Sequence, residues 1–274
     1  VPSSGLSQLD ATEQQADEGA GSPDGSGDGF SKPNIFLIMM DDLGWNDIGY
    51  QSSDLASFTP TMDRLASEGV KLNRHYTMSV CTPARAALLT GRHPVQLGVQ
   101  HSQIMPAAPW GLPLSEKLLP EYLKTEGYEA HMVGKWHLGN YKSEYLPLER
   151  GFDSFYGYLG ASIEYFGHVS LDGCTYLTND DGEEVETCVT DMFDGTTFIG
   201  EDDDVKGTYS TELLEARMKE VIQSYDSDSP LFMYLPMQNV HGPLDLYESY
   251  YEANKDLFDD VPNDDRRTFA VLLK

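Results

Sequence analysis

The sequence predicts an α/β domain built on a mostly parallel sheet, and three observations predict it. Residues 34–40 and 231–235 are apolar runs of strand length, the pattern of strands covered on both faces, and 128–133 reads as a further strand between them. Helix-compatible stretches with start and stop signals lie between them. Each run leads into polar residues (Asp41-Asp42, Gly134-Lys135, Gln238-Asn239), and in open α/β sheets the carboxyl ends of the strands are where ligands bind.

The 274 residues suffice for one large domain or two small ones. Residues 1–31 are Gly, Ser, Asp, Glu and Gln with almost nothing apolar, so they read as a disordered acidic leader, and the folded part begins at Lys32-Pro33 and runs over 32–274. A formal net charge of −27 excludes a basic nucleic-acid-binding surface. No apolar run has the length of a membrane span, and no secretory signal opens the sequence. Such acidity suits an acidic compartment, where carboxylates protonate and self-repulsion falls, and equally a highly soluble extracellular protein.

Asn34–Met40 runs straight into Asp41-Asp42-Leu43-Gly44-Trp45-Asn46-Asp47. Adjacent carboxylates at the end of a buried strand are costly unless paired or bound to a cation. Thr59-Pro60 then opens a helix over 61–67, stopped by Gly69, with Met62, Leu65 and Ala66 as its apolar stripe. Residues 70–76 read as a short strand in which His75 is structural. Pro83 fits a first helical turn and Gly91 the position just past a helix end, which sets Cys81 at a helix N-terminus. Arg85, four residues on, stands over the same face, so the pair forms a site for an oxyanion. Arg92 and His93 follow in packing or ion-pair roles.

Leu114–Leu119 opens another helix with Ser115 as N-cap and Leu118, Leu119, Tyr122 and Leu123 buried. The strand over 128–133 leads into Gly134-Lys135-Trp136-His137-Leu138-Gly139; residues two apart on extended chain share a side, so Lys135 and His137 reach one cleft while Trp136 faces away. Residues 150–160 read as an aromatic, Gly-rich loop at the cleft rim, and 168–204 as a solvated, turn-rich stretch. Thr211–Tyr225 is helical, and after the strand over 231–235 His241 sits at the ligand edge before Gly242-Pro243. Cys174 and Cys188 either bridge a short loop, which implies an oxidising compartment, or remain two thiols.

Cys81-Thr-Pro-Ala-Arg85 followed by Leu-Leu-Thr-Gly-Arg92 resembles the signature of the type I sulfatases. A tyrosine-phosphatase-like thiolate loop is the rival, but it places five residues between Cys and Arg where this chain has three. Asp-Asp-Leu-Gly-Trp-Asn-Asp, His-Met-Val-Gly-Lys-Trp-His-Leu-Gly and Arg-Gly-Phe-Asp extend the resemblance from about residue 33 to the C-terminus, and look most like the arylsulfatase B, or N-acetylgalactosamine-4-sulfatase, group. The resemblance implies an alkaline-phosphatase-like arrangement of helical layers around the sheet. It implies a sulfuric ester hydrolase acting on aryl sulfates or sulfated sugars, as in glycosaminoglycan degradation, in a lysosomal or secreted protein. Cys81 is then converted to Cα-formylglycine by the formylglycine-generating enzyme, a maturation partner. Asp41, Asp42 and the oxygen gained at Cys81 would hold Ca²⁺, which as a hard ion suits oxygen donors, ahead of Mg²⁺. Arg85, Lys135 and His137 would surround the sulfate and the formylglycine oxygens, with His137 as the acceptor of a proton and His241 as its donor to the leaving alcohol.

The resemblance also implies a later Asp-Asn pair, usually Asp-Asn-Gly, and a further lysine, and neither occurs in the 274 residues. The expectation is therefore a C-terminally truncated catalytic domain. The competing function is a catalytically inert fragment that retains a sulfate-ester pocket.

Overall fold

Six strands form the sheet that carries the site among the described residues, which in this computed structural model are 32–274 apart from 57, 107, 179–181, 227 and 262, with backbone alone at 175–178 and 185–187. The acidic leader expected over 1–31 lies outside them. β1 (Ile35–Met39) stands at one edge, followed across the sheet by β8 (Leu231–Pro236), β2 (Glu129–Lys135), β3 (Ser154–Tyr158), β6 (Phe193–Asp194) and β7 (Thr197–Phe198). The first four run parallel and the last two add antiparallel, so the sheet is mostly parallel as predicted.

Helices cover both faces. α2 (Cys81–Thr90), α3 (Pro94–Leu97) and α4 (Leu119–Thr125) contribute to one layer, where Ala86, Leu89, Leu97 and Leu118 pack on Ala130, Met132, Phe232 and Tyr234. On the other face α5 (Ser210–Ser224) sets Leu214 and Met218 against Leu231, Met233 and Leu235. β8 thus alternates its side chains between two cores, which is why all six of its residues are buried. α6 (Glu248–Asn254) and α7 (Asp264–Leu273) follow, the latter placing Ala270 and Val271 against Leu55 and Phe258.

At the carboxyl end, β2 and β3 approach closely through paired glycines. Gly134 and Gly157 are partners in register, both with positive φ, and a Cβ on Gly157 would collide with the Gly134 carbonyl.

Several expectations are corrected. β1, expected to be buried on both faces, is half-buried on one and exposed on the other: Phe36 and Ile38 are 45% and 56% exposed, because it is an edge strand with no described helix over that side. Residues 70–76 form no strand; no strand among the described residues pairs with them, and Val70 is 88% exposed. α1 (Pro60–Glu68) forms where expected, yet none of its residues is buried and Leu65 is exposed. The helix expected from Ser115 begins at Leu119 instead. Pro120 suits its first turn and the Glu121 carboxylate accepts the Leu118 N–H at 2.7 Å, while Tyr122 is exposed. His75 is exposed, whereas Arg92 is paired with Glu116 as expected. Residues 154–158, expected as a rim loop, are the core strand β3. The stretch expected as solvated contains the hairpin of β4 (Thr175–Thr178) and β5 (Glu184–Thr187), clasped at its base by a Cys174–Cys188 disulfide, and it buries His168 and Met192.

Candidate active site

β1 delivers Asp41 to the carboxyl edge, and the backbone locks it there. The Asp41 N–H donates to the Asn239 carbonyl at 2.9 Å and the Val240 N–H donates to the Asp41 carbonyl at 2.8 Å, so the chain ends of β1 and β8 stay zipped past the sheet. Asp42 has φ of 59°, a left-handed conformation unusual for a residue with a side chain. Asp41 is consequently buried while Asp42 is exposed.

Two cations grip Asp41. Lys135 Nζ, from the last residue of β2, donates to Asp41 Oδ2 at 2.6 Å, and Arg85 Nη2, from α2, lies 3.2 Å from Asp41 Oδ1. All three side chains are buried. Arg85 is held further by Nη1 donating to the Lys135 carbonyl at 3.1 Å, while its Nε and Nη2 make no hydrogen bond of good geometry. Burial raises the Asp41 pKa, but Arg85 and Lys135 outweigh it and hold the carboxyl below its usual range. Burial and then the Arg85 charge push Lys135 down against the pull of Asp41. For Arg85 burial works against the charge, but Tyr234 and Asp41 beside it prevail and its pKa is raised. The cluster therefore contains two buried cationic groups and one buried carboxylate.

Cys81 is the first residue of α2, and Gly91 ends that helix at φ of 67°, both as the sequence predicts. Cys81 lines a cavity of about 400 Å³ with Asp41, Asp42 and Ala84, with Arg85 and Lys135 in contact with Asp41 behind that wall. His137 lies on the same side by a different route from the one expected. Its φ is 58°, so the chain after β2 is not extended, and a left-handed turn brings the ring in while Trp136 packs into the core. His137 Nε2 is 3.0 Å from the Ile104 carbonyl, which can only accept; Nε2 therefore carries the hydrogen and the buried Nδ1 keeps a free lone pair with no partner. Burial first, then Lys135 and Arg85, lower the His137 pKa to about 3. His241 Nδ1 donates to the Gly242 carbonyl at 2.7 Å, which leaves Nε2 as its working nitrogen, 3.6 Å from Asp42 Oδ2.

Of the candidate site residues Asp41, Asp42 and Cys81 line the cavity, Arg85 and Lys135 reach it through Asp41 and His241 through Asp42, while His137 is buried and lines none of it. Others were missed. Thr82 Oγ1 accepts from the Ile104 N–H at 3.0 Å and donates to the His137 carbonyl at 3.2 Å, tying loop, helix and strand end together. Gln103 Oε1 lies 3.9 Å from the Cys81 sulfur, and the Tyr165 hydroxyl donates to the His241 carbonyl at 3.0 Å. Asp47, part of the Asp-Asp-Leu-Gly-Trp-Asn-Asp block, does not face the cavity; it accepts from the Gly44 N–H and pairs with Arg266 of α7. A threonine at the first helical turn was a usable signal for Thr82; nothing local marks the rest.

The donor chemistry fits a hard divalent cation, since Asp41 and Asp42 offer carboxylate oxygens beside Cys81. The number of donors does not. Both Asp41 oxygens are engaged by cationic side chains, and among the described residues no group of three His, Cys, Asp or Glu is arranged to hold a metal.

The family profile described as Sulfatase matches residues 33–273. Among curated proteins, arylsulfatase J of Mus musculus is 37% identical over 251 residues, an alignment spanning 92% of this chain and 39% of that protein. Arylsulfatase G of Mus musculus is 32% identical, spanning 78% of this chain and 42% of its own. N-acetylgalactosamine-6-sulfatase of Homo sapiens is 42% identical over 133 residues, 46% of this chain and 25% of that protein. The chain spans at most 42% of the length of these relatives. Of solved structures, Ps i-CgsB in complex with k-i-k-neocarrahexaose superposes with a TM-score of 0.72 at 28% identity, over 88% of this chain and 52% of that one. The PsFucS1 sulfatase from Pseudoalteromonas sp. superposes with a TM-score of 0.59 at 26% identity, over 81% and 47% of the two chains.

Proposed function

The chain belongs to the sulfatase family, and on that premise we propose that it carries the nucleophile and anion-binding half of a sulfuric ester hydrolase acting on aryl sulfates or sulfated sugars. The observation that carries this reading is the charge imbalance around Asp41. Arg85 and Lys135 share one buried carboxylate, and burial of a second positive charge favours any anion that can approach it. A sulfate ester entering the cavity lined by Cys81 supplies that anion. The named relatives are arylsulfatases and an N-acetylgalactosamine-6-sulfatase, and one structural neighbour was solved with k-i-k-neocarrahexaose, which supports sugar substrates beside small aryl sulfates.

Position 81 serves as the nucleophile once its thiol is oxidised to Cα-formylglycine by the formylglycine-generating enzyme and hydrated, since the free thiol lacks the second hydroxyl needed to expel sulfate and restore the aldehyde. Asp41, Asp42 and an oxygen on residue 81 are the donors this chain would offer Ca²⁺, fewer than the about six to eight oxygens it takes, so further donors would be needed before the ion could supply charge stabilisation to a sulfuryl group. The chain's own residues do the remainder. Arg85 and Lys135 complement the sulfuryl charge. His137 offers Nδ1 to a hydroxyl on residue 81, and its pKa near 3 favours accepting that hydrogen bond over keeping the proton. His241, its Nδ1 fixed on a carbonyl, presents Nε2 to the leaving alcohol. A lysosomal or secreted location fits the Cys174–Cys188 disulfide, which needs an oxidising compartment.

A second reading, an inert sulfate-ester-binding module, is favoured by the occupied Asp41 oxygens and the short supply of metal donors. One experiment separates the two. The protein is co-expressed with the formylglycine-generating enzyme, given Ca²⁺, and assayed for hydrolysis and for binding of a small aryl sulfate, with Cys81→Ser as control. Turnover that Cys81→Ser abolishes supports the hydrolase; binding without turnover supports the module; neither binding nor turnover refutes both.

A further inference from the structure

Thr82, the second residue of α2, is fully buried, and its hydroxyl serves other segments than its own helix. A helical threonine commonly turns its hydroxyl back to a carbonyl one turn earlier. Thr90, at the far end of the same helix, does so, donating to the Ala86 carbonyl at 2.6 Å. The partners of Thr82 are instead 22 and 55 positions away in the chain.

With those partners Thr82 closes a ring of hydrogen bonds. The Ile104 N–H donates to Thr82 Oγ1 at 3.0 Å, Thr82 Oγ1 donates to the His137 carbonyl at 3.2 Å, and His137 Nε2 donates to the Ile104 carbonyl at 3.0 Å. Thr82, Ile104 and His137 are 0%, 3% and 1% exposed, so water does not compete for these bonds. One hydroxyl is required to close the ring, because it must accept from one neighbour and donate to the other.

The ring holds His137 at both ends. Its main chain is fixed by Thr82 on the carbonyl and by its own N–H donating to the Leu159 carbonyl at 3.2 Å, while its imidazole is fixed by the Ile104 carbonyl. A φ of 58° persists at a histidine only where the surroundings enforce it. The Ile104 carbonyl in turn keeps its place because the N–H of the same residue is tied to Thr82. Thr82 is also the covalent neighbour of residue 81, so the anchor of the imidazole and the proposed nucleophile are one peptide bond apart at the start of α2.

We propose that Thr82 is a positioning residue that fixes the ring orientation and the tautomer of His137 relative to residue 81. The chemical use of that orientation rests on the sulfatase reading. The orientation itself does not, and it is measured on the unmodified chain without substrate or metal.

The experiment is NMR at neutral pH on the 274-residue chain carrying isotope-labelled histidine, in which a ring nitrogen bearing hydrogen is distinguished from a bare one. The signals of His137 among the seven histidines are those lost in His137→Gln. The wild-type chain should show hydrogen on Nε2 and a bare Nδ1. Thr82→Val keeps the shape of the side chain without the hydroxyl; it should average the two nitrogens between tautomers and speed hydrogen exchange of the Ile104 amide about tenfold, as loss of one buried hydrogen bond implies. Thr82→Ser, which keeps the hydroxyl, should restore both signatures. Thr82→Ala supplies a second variant without the hydroxyl should the valine variant not fold. A lower melting temperature with the wild-type ring signals intact, in either variant that lacks the hydroxyl, would make Thr82 a stabilising residue only and overturn the proposal. Averaged nitrogens in the wild-type chain or in Thr82→Ser would overturn it as well. Failure of the sulfatase reading is recorded elsewhere, in an unmodified Cys81 and an absent aryl sulfate activity, and leaves the tautomer result standing.

Discussion

Asp41 and Lys135, 94 positions apart in the chain, meet in a 2.6 Å hydrogen-bonded ion pair in which neither side chain is more than 4% exposed. With Arg85 on the other oxygen, this pair fixes the relative positions of β1, β2 and α2 at the end of the sheet where Cys81 lies.

Removing the carboxylate should therefore cost stability as well as function. Asp41→Asn leaves Arg85 and Lys135 buried together with no compensating charge, and breaking such a cluster costs about 3 kcal/mol or more. Urea denaturation monitored by circular dichroism measures it. A midpoint unchanged from wild type would mean that solvent reaches the cluster and screens it.

His137 should make stability depend on pH. Its folded pKa of about 3 lies below the unfolded value of 6.5, so between these pH values the unfolded chain binds a proton that the native protein refuses. Stability consequently rises with pH across that window and is lost on acidification from 6.5 towards 3. Asp41, depressed below 3.8, adds a loss of the same sign beneath that value. His137→Gln should make the decline between pH 6.5 and 4 shallower without abolishing it, because burial also lowers His131 and His168, while buried Asp191, raised above its usual value, acts in the opposite sense. The readout is the urea midpoint against pH for the two proteins; parallel curves would contradict the assignment.

Cys81 is the free cysteine, beside two that are bridged, so it can be followed without ambiguity. Secretory expression with the modifying enzyme should convert it to an aldehyde, seen as a shifted peptide mass and reactivity towards a carbonyl probe. A peptide carrying only thiol would remove the formylglycine step from the proposed function.

Reduction of Cys174–Cys188, or replacement of both by serine, should cost roughly 3 kcal/mol in the chain-entropy account, less if the hairpin of β4 and β5 is stiff when open. Non-reducing peptide mapping with thermal melts tests both the bridge and its worth.

Added Ca²⁺ should raise the melting temperature of this chain only slightly. Calcium takes about six to eight oxygens, and the cavity offers two carboxylates, one already neutralised by Lys135 and Arg85. Stabilisation follows occupancy, so a donor-poor site gives a small shift. A large Ca²⁺-dependent shift that survives Asp42→Asn would place the ion elsewhere.

Much of the fold was readable locally. Apolar runs located β1, β2 and β8, and Pro83 with Gly91 bounded α2 nearly to the residue, because these signals depend on neighbours a few positions away. The Asp41-Asp42, Lys135 and His241 positions were readable for the same reason, each following a buried run. What escaped depended on distant or main-chain partners. Arg266 grips Asp47 across 219 positions, and Asp54 across 212, and no window of sequence displays that. Residues 154–158 were read as a loop because Gly157 and the aromatics around it mimic one, whereas the glycine serves close contact with Gly134. The sequence also cannot reveal that β1 is an edge strand, since exposure of Phe36 and Ile38 is decided by what lies opposite them.

The bond from His137 Nε2 to the Ile104 carbonyl has a mutational signature of its own. Every amino acid carries a carbonyl, so the tautomer of His137 survives any replacement of the Ile104 side chain that keeps the loop path. Lengthening or shortening the stretch between Thr90 and Ile104 by one residue would move that carbonyl away and release both ring nitrogens. The proton inventory of the site is thus insensitive to point substitution at Ile104 and acutely sensitive to insertions and deletions, a pattern that a scan of single-residue indels through 98–104 would display directly.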